Sequence, residues 1–575
     1  MFYGPTTPYA YIRDNPAAMS ILLSHVPSVV DEPDAFLQPY TLVGELVARG
    51  KPIGEDMPDL SPLWAELSAV PFPSVTATSR PVPPDLIDSP VPHAEAPTAK
   101  CERWGLAELT FKGPDAGNPF VDVTLEAVFA LADRSIRVGG FYDGDGVYRI
   151  RFLPPEEGQW MYQTSSNATA LNGILGSISV GPASPANHGR VVVRDDYHFA
   201  YDDGSPYLPF GTTAYAWTHQ SEAQQERTLD TLAGTTFTKL RMCLFPKSFL
   251  YNTQDPSLYP FERNDDGTWD FARPSLAYFR LLERRILDLQ RVGVEADLIL
   301  FHPYDRWDFC DMPAWVDRFY TQYVVRRLAA YRNVWWSLAN EYDFVKTKTI
   351  EDWEGIAHVI TDEDHASHLV GIHNGAVLFD NNASWVTHSS IQKNDSNHTS
   401  ASVDAWRTMF KKPVVVDEIG YEGDLGMGWG NLSAQEMVRR AWDGAVGGAY
   451  VNHGECFSQD EEDLWWSHGG QLRGESADRF AFLTQMVQAC PSRRFEPLVS
   501  DFDLPWGGNR DYRVAYFGLA RPKSRAFTLP PGTWDVDIID TWAMTCAPLP
   551  EPVQGRVEIG LPGREYIAVR FRSHE

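Results

Sequence analysis

The 575-residue chain carries 49 basic against 77 acidic residues, a net charge of −28, and 43% of its residues are hydrophobic. Such a chain builds several cores, and its charge repels nucleic acid and anionic membrane surfaces while suiting a neutral or cationic ligand. Aromatic residues reach 13%, with 19 Trp, enough both for β-rich cores and for faces on which sugar rings stack.

The N-terminal text MFYGPTTPYAYIRDNPAAM has no basic stretch leading into an apolar core, and no apolar run approaches the ~18 residues of a membrane span. A cytoplasmic protein is expected. The cysteines, at 101, 243, 310, 456, 490 and 546, lack C-x-x-C spacing, so neither a disulfide framework nor a zinc knuckle is indicated. Glycosylation sequons at Asn167 and Asn397 arise easily by chance. Residues 1–70 carry helical patterning, as in PAAMSILLSHVPSVV and PYTLVGELVARG, and predict a small helical extension. Residues 71–100 are dense in Pro, Ser and Ala and read as a linker. Short alternating runs over 101–185, such as LAELTFKG, VDVTLEAVFAL and VYRIRFLP, predict an immunoglobulin-like β-sandwich. A second β-sandwich is expected over 494–575, from RVAYFGLA, RAFTLPPGTWDVDIIDTW and YIAVRFR.

Between them, over 186–493, short apolar runs alternate with longer helical patterns, which calls for βα units and a parallel sheet. Eight runs qualify as strands: PFGTTAYAW, FTKLRMCLF, EADLILFHPYD, NVWWSLANEYD, HLVGIHNG, WVTHSSIQ, KPVVVDEIGYEG and GGAYVNHGECF. Eight such units close a (β/α)₈ TIM barrel. The fold class is therefore α/β, and no G-x-G-x-x-G or P-loop follows any strand to favour an open sheet.

In such a barrel the residues ending each strand form the active face. They include Trp217, Arg241, His302, Tyr304, Asn340, Glu341, His388, Glu418, Asn452, His453 and Glu455. Glu341 and Glu418 each follow an apolar run directly. Either alone could cap a helix or pair with Arg241. Together they supply what glycoside hydrolysis needs, one carboxyl to donate a proton and one carboxylate to attack or to activate water.

An Asn-Glu pair ending the fourth strand and a Glu ending the seventh resemble the acid/base and nucleophile positions of the retaining TIM-barrel enzymes of glycoside hydrolase clan A. The order of domains, the barrel opening YLPFGTTAYAWTH and the late text DVDIIDTWAMT are similar to the apiosidase-like branch. The resemblance implies Glu341 as acid/base, Glu418 as nucleophile and Asn340 as partner of the sugar 2-hydroxyl. Arg241 would keep the nucleophile ionised, and Trp217, His302, Tyr304, His388, His453 and Glu455 would bind substrate. Many clan members end the eighth strand with a Trp, whereas this chain reads VNHGECF, so a polar residue among Asn452, His453 and Glu455 is expected to floor the sugar.

The expected activity is exo-acting, retaining hydrolysis of a small glycoside or oligosaccharide, without metal or cofactor. The expected partner is a carbohydrate, with no nucleic acid and no membrane; homo-oligomerisation is left open. Two alternatives stand beside it: a metal-dependent hydrolase using the His and acidic residues of HPYD and HGE, although no H-E-x-x-H or H-x-H occurs, and a non-catalytic carbohydrate-binding protein.

Overall fold

The computed structural model describes residues 3–5, 7, 9–13, 15–31, 43–44, 47, 59–71, 81–88, 96–393, 399–458, 463–501 and 503–574. Most of PYTLVGELVARG, much of the 71–100 linker and the sequon at Asn397 lie outside the described residues. In the N-terminal segment, helix Pro16–His25 starts on an Asn15 side chain that accepts from the amides of Ala17 and Ala18, with proline at the first turn, a position where its missing N–H costs nothing. Its Ala18 and Leu22 pack with Leu63 and Leu67 of helix Ser61–Ala69 in a small core of their own.

Seven strands between Ala99 and Gly181 form one sheet, antiparallel except where Ala99–Glu102 pairs in parallel with Leu175–Gly181. Alternation drives it: Ala107, Leu109 and Phe111 of one strand, and Trp160, Tyr162 and Thr164 of another, are the buried members, as a half-buried strand requires. The Asn167 sequon is built into this sheet, its amide donating to the carbonyls of Pro84 and Asp122 and accepting from Thr124. The sheet docks on the rest of the chain through buried charge. Glu283 of helix Leu276–Arg291 receives Arg151 at 2.5 Å and also Arg327 of helix Ala314–Leu328, and Arg327 reaches Asp143 at 2.8 Å.

A three-stranded antiparallel sheet spans Val191–Arg194, His198–Tyr201 and Pro206–Tyr207. Eight short parallel strands follow: β1 (Thr212–Thr213), β2 (Lys239–Cys243), β3 (Glu295–Phe301), β4 (Val334–Ala339), β5 (Val370–Gly371), β6 (Ser389–Gln392), β7 (Val414–Glu418) and β8 (Tyr450–Val451). Each lies in one of the eight apolar runs. β1 to β5 pair in order as one sheet, and β6, β7 and β8 as another. A bridge between His373 and Ser390 links β5 to β6, and the amide of His453 donates to the carbonyl of Gly211 across β8 and β1. A helix of 12–16 residues lies between most successive strands, whereas the link from β5 to β6 is irregular. The strands are buried on both faces, which is why they read as continuous apolar runs.

From Glu496 a second seven-stranded antiparallel sheet closes the chain, with Ser524–Asp540 as its long bent strand and its own core around Trp506, Phe527 and Phe571. The architecture is thus a mixed α/β unit between two β-sheet units.

Removing the shared carboxylate in Glu283→Gln leaves two buried guanidinium groups short of counter-charge, a loss on the order of 3–5 kcal/mol. The variant is expected to unfold earlier in urea, with faster amide exchange in Val147–Phe152 than in the strands of the C-terminal sheet; unchanged exchange there would contradict the docking role.

Candidate active site

β4 is apolar and buried throughout, and the chain then turns sharply. Glu341 adopts φ 52° and ψ 55°, the left-handed region that a β-carbon disfavours, before a single 3₁₀ turn at Tyr342–Phe344. The turn carries Glu341 into a cavity of about 70 Å³ that Glu418, the last residue of β7, also lines. Oε2 of Glu341 accepts from the Tyr304 hydroxyl and, at 3.1 Å, from the Asn340 amide; Oε1 accepts from Gln392 at 3.1 Å. Oε1 of Glu418 accepts from the Tyr215 hydroxyl, which also lies 3.0 Å from Asn340 Oδ1. Burial, and next the nearby charge of Glu418, push the Glu341 carboxyl up to about 7, so one of the two carboxyls holds its proton near neutrality.

Beneath the cavity sits a buried ion cluster. Lys239 of β2 contacts Asp297 of β3 at 2.6 Å and Asp417 of β7 at 2.8 Å. Arg241, two residues along β2 and so on the same face, lies 3.3 Å from Asp417 and 3.7 Å from Asp297. Arg241 therefore pairs with Asp417, not with Glu418, and it does not line the cavity. Its Nη2 instead donates to Asn340 Oδ1 at 2.8 Å, fixing the amide whose Nδ2 faces Glu341. His373, 3.9 Å from Glu418, is buried and held well below the usual histidine range by that burial.

The remaining wall was not anticipated by strand-end reasoning. It comprises Tyr215, Lys247, Phe249, Gln392, Trp429 and Trp466, beside Tyr421, which the end of the seventh run did offer. Lys247 stands among aromatic faces, 3.9 Å from the Tyr215 ring centroid, 4.1 Å from Tyr304 and 4.7 Å from Trp466, a cation–π arrangement. A sequence signal existed in FPKSF, a lysine embedded in an apolar run, and in LWWS for Trp466.

Besides Arg241, and Asn452, which donates to Asp417, five expected site residues lie elsewhere. Trp217 enters a 3₁₀ turn that rotates it into the core, its indole on the Met242 sulfur at 3.4 Å. His302 is buried behind Tyr304, bound to the Phe245 carbonyl at 3.1 Å. His388 precedes β6 and so occupies the opposite end of that strand, packed on Trp335; the residue that β6 delivers to the cavity is Gln392. His453 bridges Thr212 and Ser476. Glu455 accepts the amides of Arg473 and Gly474. The aromatic wall missing from the end of β8 is supplied by Trp466, further along the chain, so no polar residue of VNHGECF floors the cavity.

Glu422, His453 and Glu455 bring ligand atoms within 4.8 Å of one another, the closest approach to the metal alternative among the described residues. Glu422 accepts from the Glu475 and Ser476 amides, and both nitrogens of His453 are engaged. These groups hold the 473–476 turn, so the donor set fits structural hydrogen bonding better than an ion.

Residues 194–489 match the model of the apiosidase-like catalytic domain, 100–167 the domain of unknown function DUF5060 and 502–572 the domain of unknown function DUF5605. No curated protein matches the sequence. Among solved structures, a proposed glycoside hydrolase from Bacteroides vulgatus is 40% identical, aligned over 83% of this chain and 100% of that one with a TM-score of 0.78. A family 5 glycoside hydrolase from the same organism shares the fold at 14% identity, over 68% of this chain and 95% of that one, with a TM-score of 0.54.

A carboxyl raised in the folded state above its unfolded value of about 4.3 contributes stability below that pH and loses it as pH rises through 7. Glu341→Gln abolishes this dependence. Its thermal midpoint is expected to rise relative to the unsubstituted protein between pH 5 and 8; a difference that stays flat would show that Glu341 is ionised throughout.

Proposed function

The chain belongs to the apiosidase-like family of clan A glycosidases, and on that premise we propose that it is a retaining, exo-acting glycoside hydrolase with Glu341 as acid/base and Glu418 as nucleophile. The observation that carries this reading is the pairing of two carboxylates in one small cavity, one of them protonated to about pH 7. The eight parallel strands are taken as one (β/α)₈ barrel over 186–493, flanked by β-sandwiches over 101–185 and 494–575. The His373–Ser390 bridge and the His453-to-Gly211 hydrogen bond support closure.

In the first displacement a carboxylate oxygen of Glu418 attacks the anomeric carbon while Glu341 passes its proton to the departing oxygen. The Tyr215 hydroxyl holds Glu418 in orientation, and Arg241 fixes Asn340, which is expected to offer its amide to the sugar 2-hydroxyl. In the second, Glu341, now a carboxylate, takes a proton from water as that water attacks the anomeric carbon and releases Glu418. Retention places the two carboxyl groups about 5–5.5 Å apart. Exo action is favoured by the small volume around them.

Glu418→Ala is expected to lose several orders of magnitude in kcat on every glycoside, whatever the leaving group. Glu341→Ala is expected to fail on alkyl and sugar leaving groups, yet to be glycosylated by dinitrophenyl glycosides, whose leaving group departs as an anion. Azide should then restore its turnover with a glycosyl azide of retained configuration, and should rescue Glu418→Ala with the inverted one. Opposite stereochemistry would reverse the two roles. In the unsubstituted enzyme kcat/KM is expected to fall above about pH 7 as Glu341 loses the proton it must donate.

A further inference from the structure

Beside the reactive cavity lies a larger one of about 530 Å³, and the two share Lys247 on their walls. We propose that this larger cavity is a second carbohydrate subsite, which takes the neutral sugar on the far side of the scissile bond, with Tyr251 as its stacking platform. The proposal rests on the glycosidase reading of the neighbouring carboxylates.

One short turn builds the junction. From Lys247 to Asn252 the chain folds back, with Phe249 and Asn252 exchanging backbone hydrogen bonds at 2.8 and 3.1 Å. Lys247 and Phe249 line the reactive cavity, while Tyr251 and Asn252 line the larger one. The turn is fixed from both sides. The Ser248 amide donates to the carbonyl of Tyr304, the tyrosine that hydrogen-bonds Glu341. Asn252, itself buried, donates to the Lys247 carbonyl at 2.5 Å and accepts from His468 at 2.9 Å. A ligand leaving the carboxylates over Lys247 therefore enters a space whose wall is rigidly registered to the chemistry.

The wall's chemistry selects the ligand class. Gln220 and Gln254 carry amide side chains on this wall, that of Gln220 already donating to the Ala216 carbonyl at 3.0 Å, and His219 donates from Nε2 to the Leu244 carbonyl, leaving a buried Nδ1 with no partner among the described residues. The acid on the wall, Asp255, already accepts from Tyr259, Trp307 and Arg306, so it does not call for a cationic ligand. With Lys247 set over the rings of the reactive cavity and Asp255 already engaged, the remaining amide, imidazole and hydroxyl groups around one ring suit a hydroxyl-rich sugar better than an apolar or charged group. Tyr251 is that ring. It is 48% exposed and sits at φ 64°, a left-handed conformation that tyrosine adopts only when its surroundings impose it. The exposed Tyr251 side chain thus lines the cavity instead of packing into the core.

The test compares Tyr251→Phe, Tyr251→Ala and Tyr251→Gly on an aryl monosaccharide glycoside and on oligosaccharides of the same glycone. Glycine is at ease at φ 64°, so the Gly variant removes the ring without straining the fold. Tyr251→Ala and Tyr251→Gly are expected to lose about tenfold in kcat/KM on the oligosaccharides while staying within twofold on the aryl glycoside, and Tyr251→Phe to stay near the parent on both. Equal loss on both substrates, or none on either, overturns the subsite and leaves the hydrolase reading intact. Calorimetric titration with xylo-, manno-, cello-, arabino- and galacto-oligosaccharides separates the two claims. Binding that needs the Tyr251 ring without any turnover upholds a sugar site at Tyr251 but sinks the hydrolase reading, and with it the placement of that sugar across a scissile bond; no binding by the unsubstituted protein overturns the subsite.

Discussion

The site depends on four charges that never touch its cavity. Lys239, Arg241, Asp297 and Asp417 come from three different strands, are nearly or fully buried, and balance as two cations against two anions. Desolvating such groups is expensive, and the arrangement persists only because each charge meets opposite ones at hydrogen-bonding range. That requirement fixes β2, β3 and β7 relative to one another. Its upper edge is functional: Arg241 holds Asn340, and Asp417 is the residue before Glu418, so the cluster sets where both proposed catalytic groups begin. Ser390 of β6 and Asn452 beyond β8 also donate to Asp417, which extends the same constraint around the sheet.

Much of this was legible because buried parallel strands write themselves as apolar runs. All eight runs contain a strand, and the three residues that end β4 and β7, Asn340, Glu341 and Glu418, do converge. Tyr304 was legible too, as the polar residue following β3. The failures share a cause. Strand-end reasoning assumes that the apolar run and the strand coincide, whereas β6 is only Ser389–Gln392, so the same run offered His388 from its beginning and hid Gln392 at its end. Trp217 failed for a related reason, since β1 spans just two residues and Trp217 is already the first residue of a 3₁₀ turn. Boundaries, not element types, carried the error, and a one-residue shift changes which side of a strand a side chain serves.

A second class of miss has only a weak local signal. Trp429 reaches the cavity from a loop beyond β7 and Trp466 from the short helix Trp465–His468 beyond β8, and only tertiary packing brings them together, with ring centroids 5.2 Å apart. The sequence invited a polar floor because the end of β8 reads VNHGECF. Those residues instead stabilise the support of that floor: Glu455 and Glu422 bind successive amides of the 473–476 turn, and His453 joins it to β1. Carboxylates accepting backbone amides at a turn are a structural use of charge, and a linear reading has no means of telling that use from a catalytic one.

Lys247 gives the cavity its electrical balance. Around pH 7 the proton on Glu341 reduces the negative charge that faces the Lys247 side chain, which lies over the rings of Tyr215, Phe249, Tyr304 and Trp466. On the proposed mechanism the first displacement turns Glu418 into an ester and Glu341 into a carboxylate, so the negative charge moves across the cavity while its total does not change. Lys247 feels both carboxylates, each attraction opposing the burial that lowers its affinity for a proton. A basic side chain held on the same cavity wall as both carboxyl groups needs little solvent rearrangement as the charge shifts, which is the condition under which preorganised groups are most effective. The same residue opens onto the larger cavity, so the group that balances the chemistry also marks where the rest of the substrate must pass.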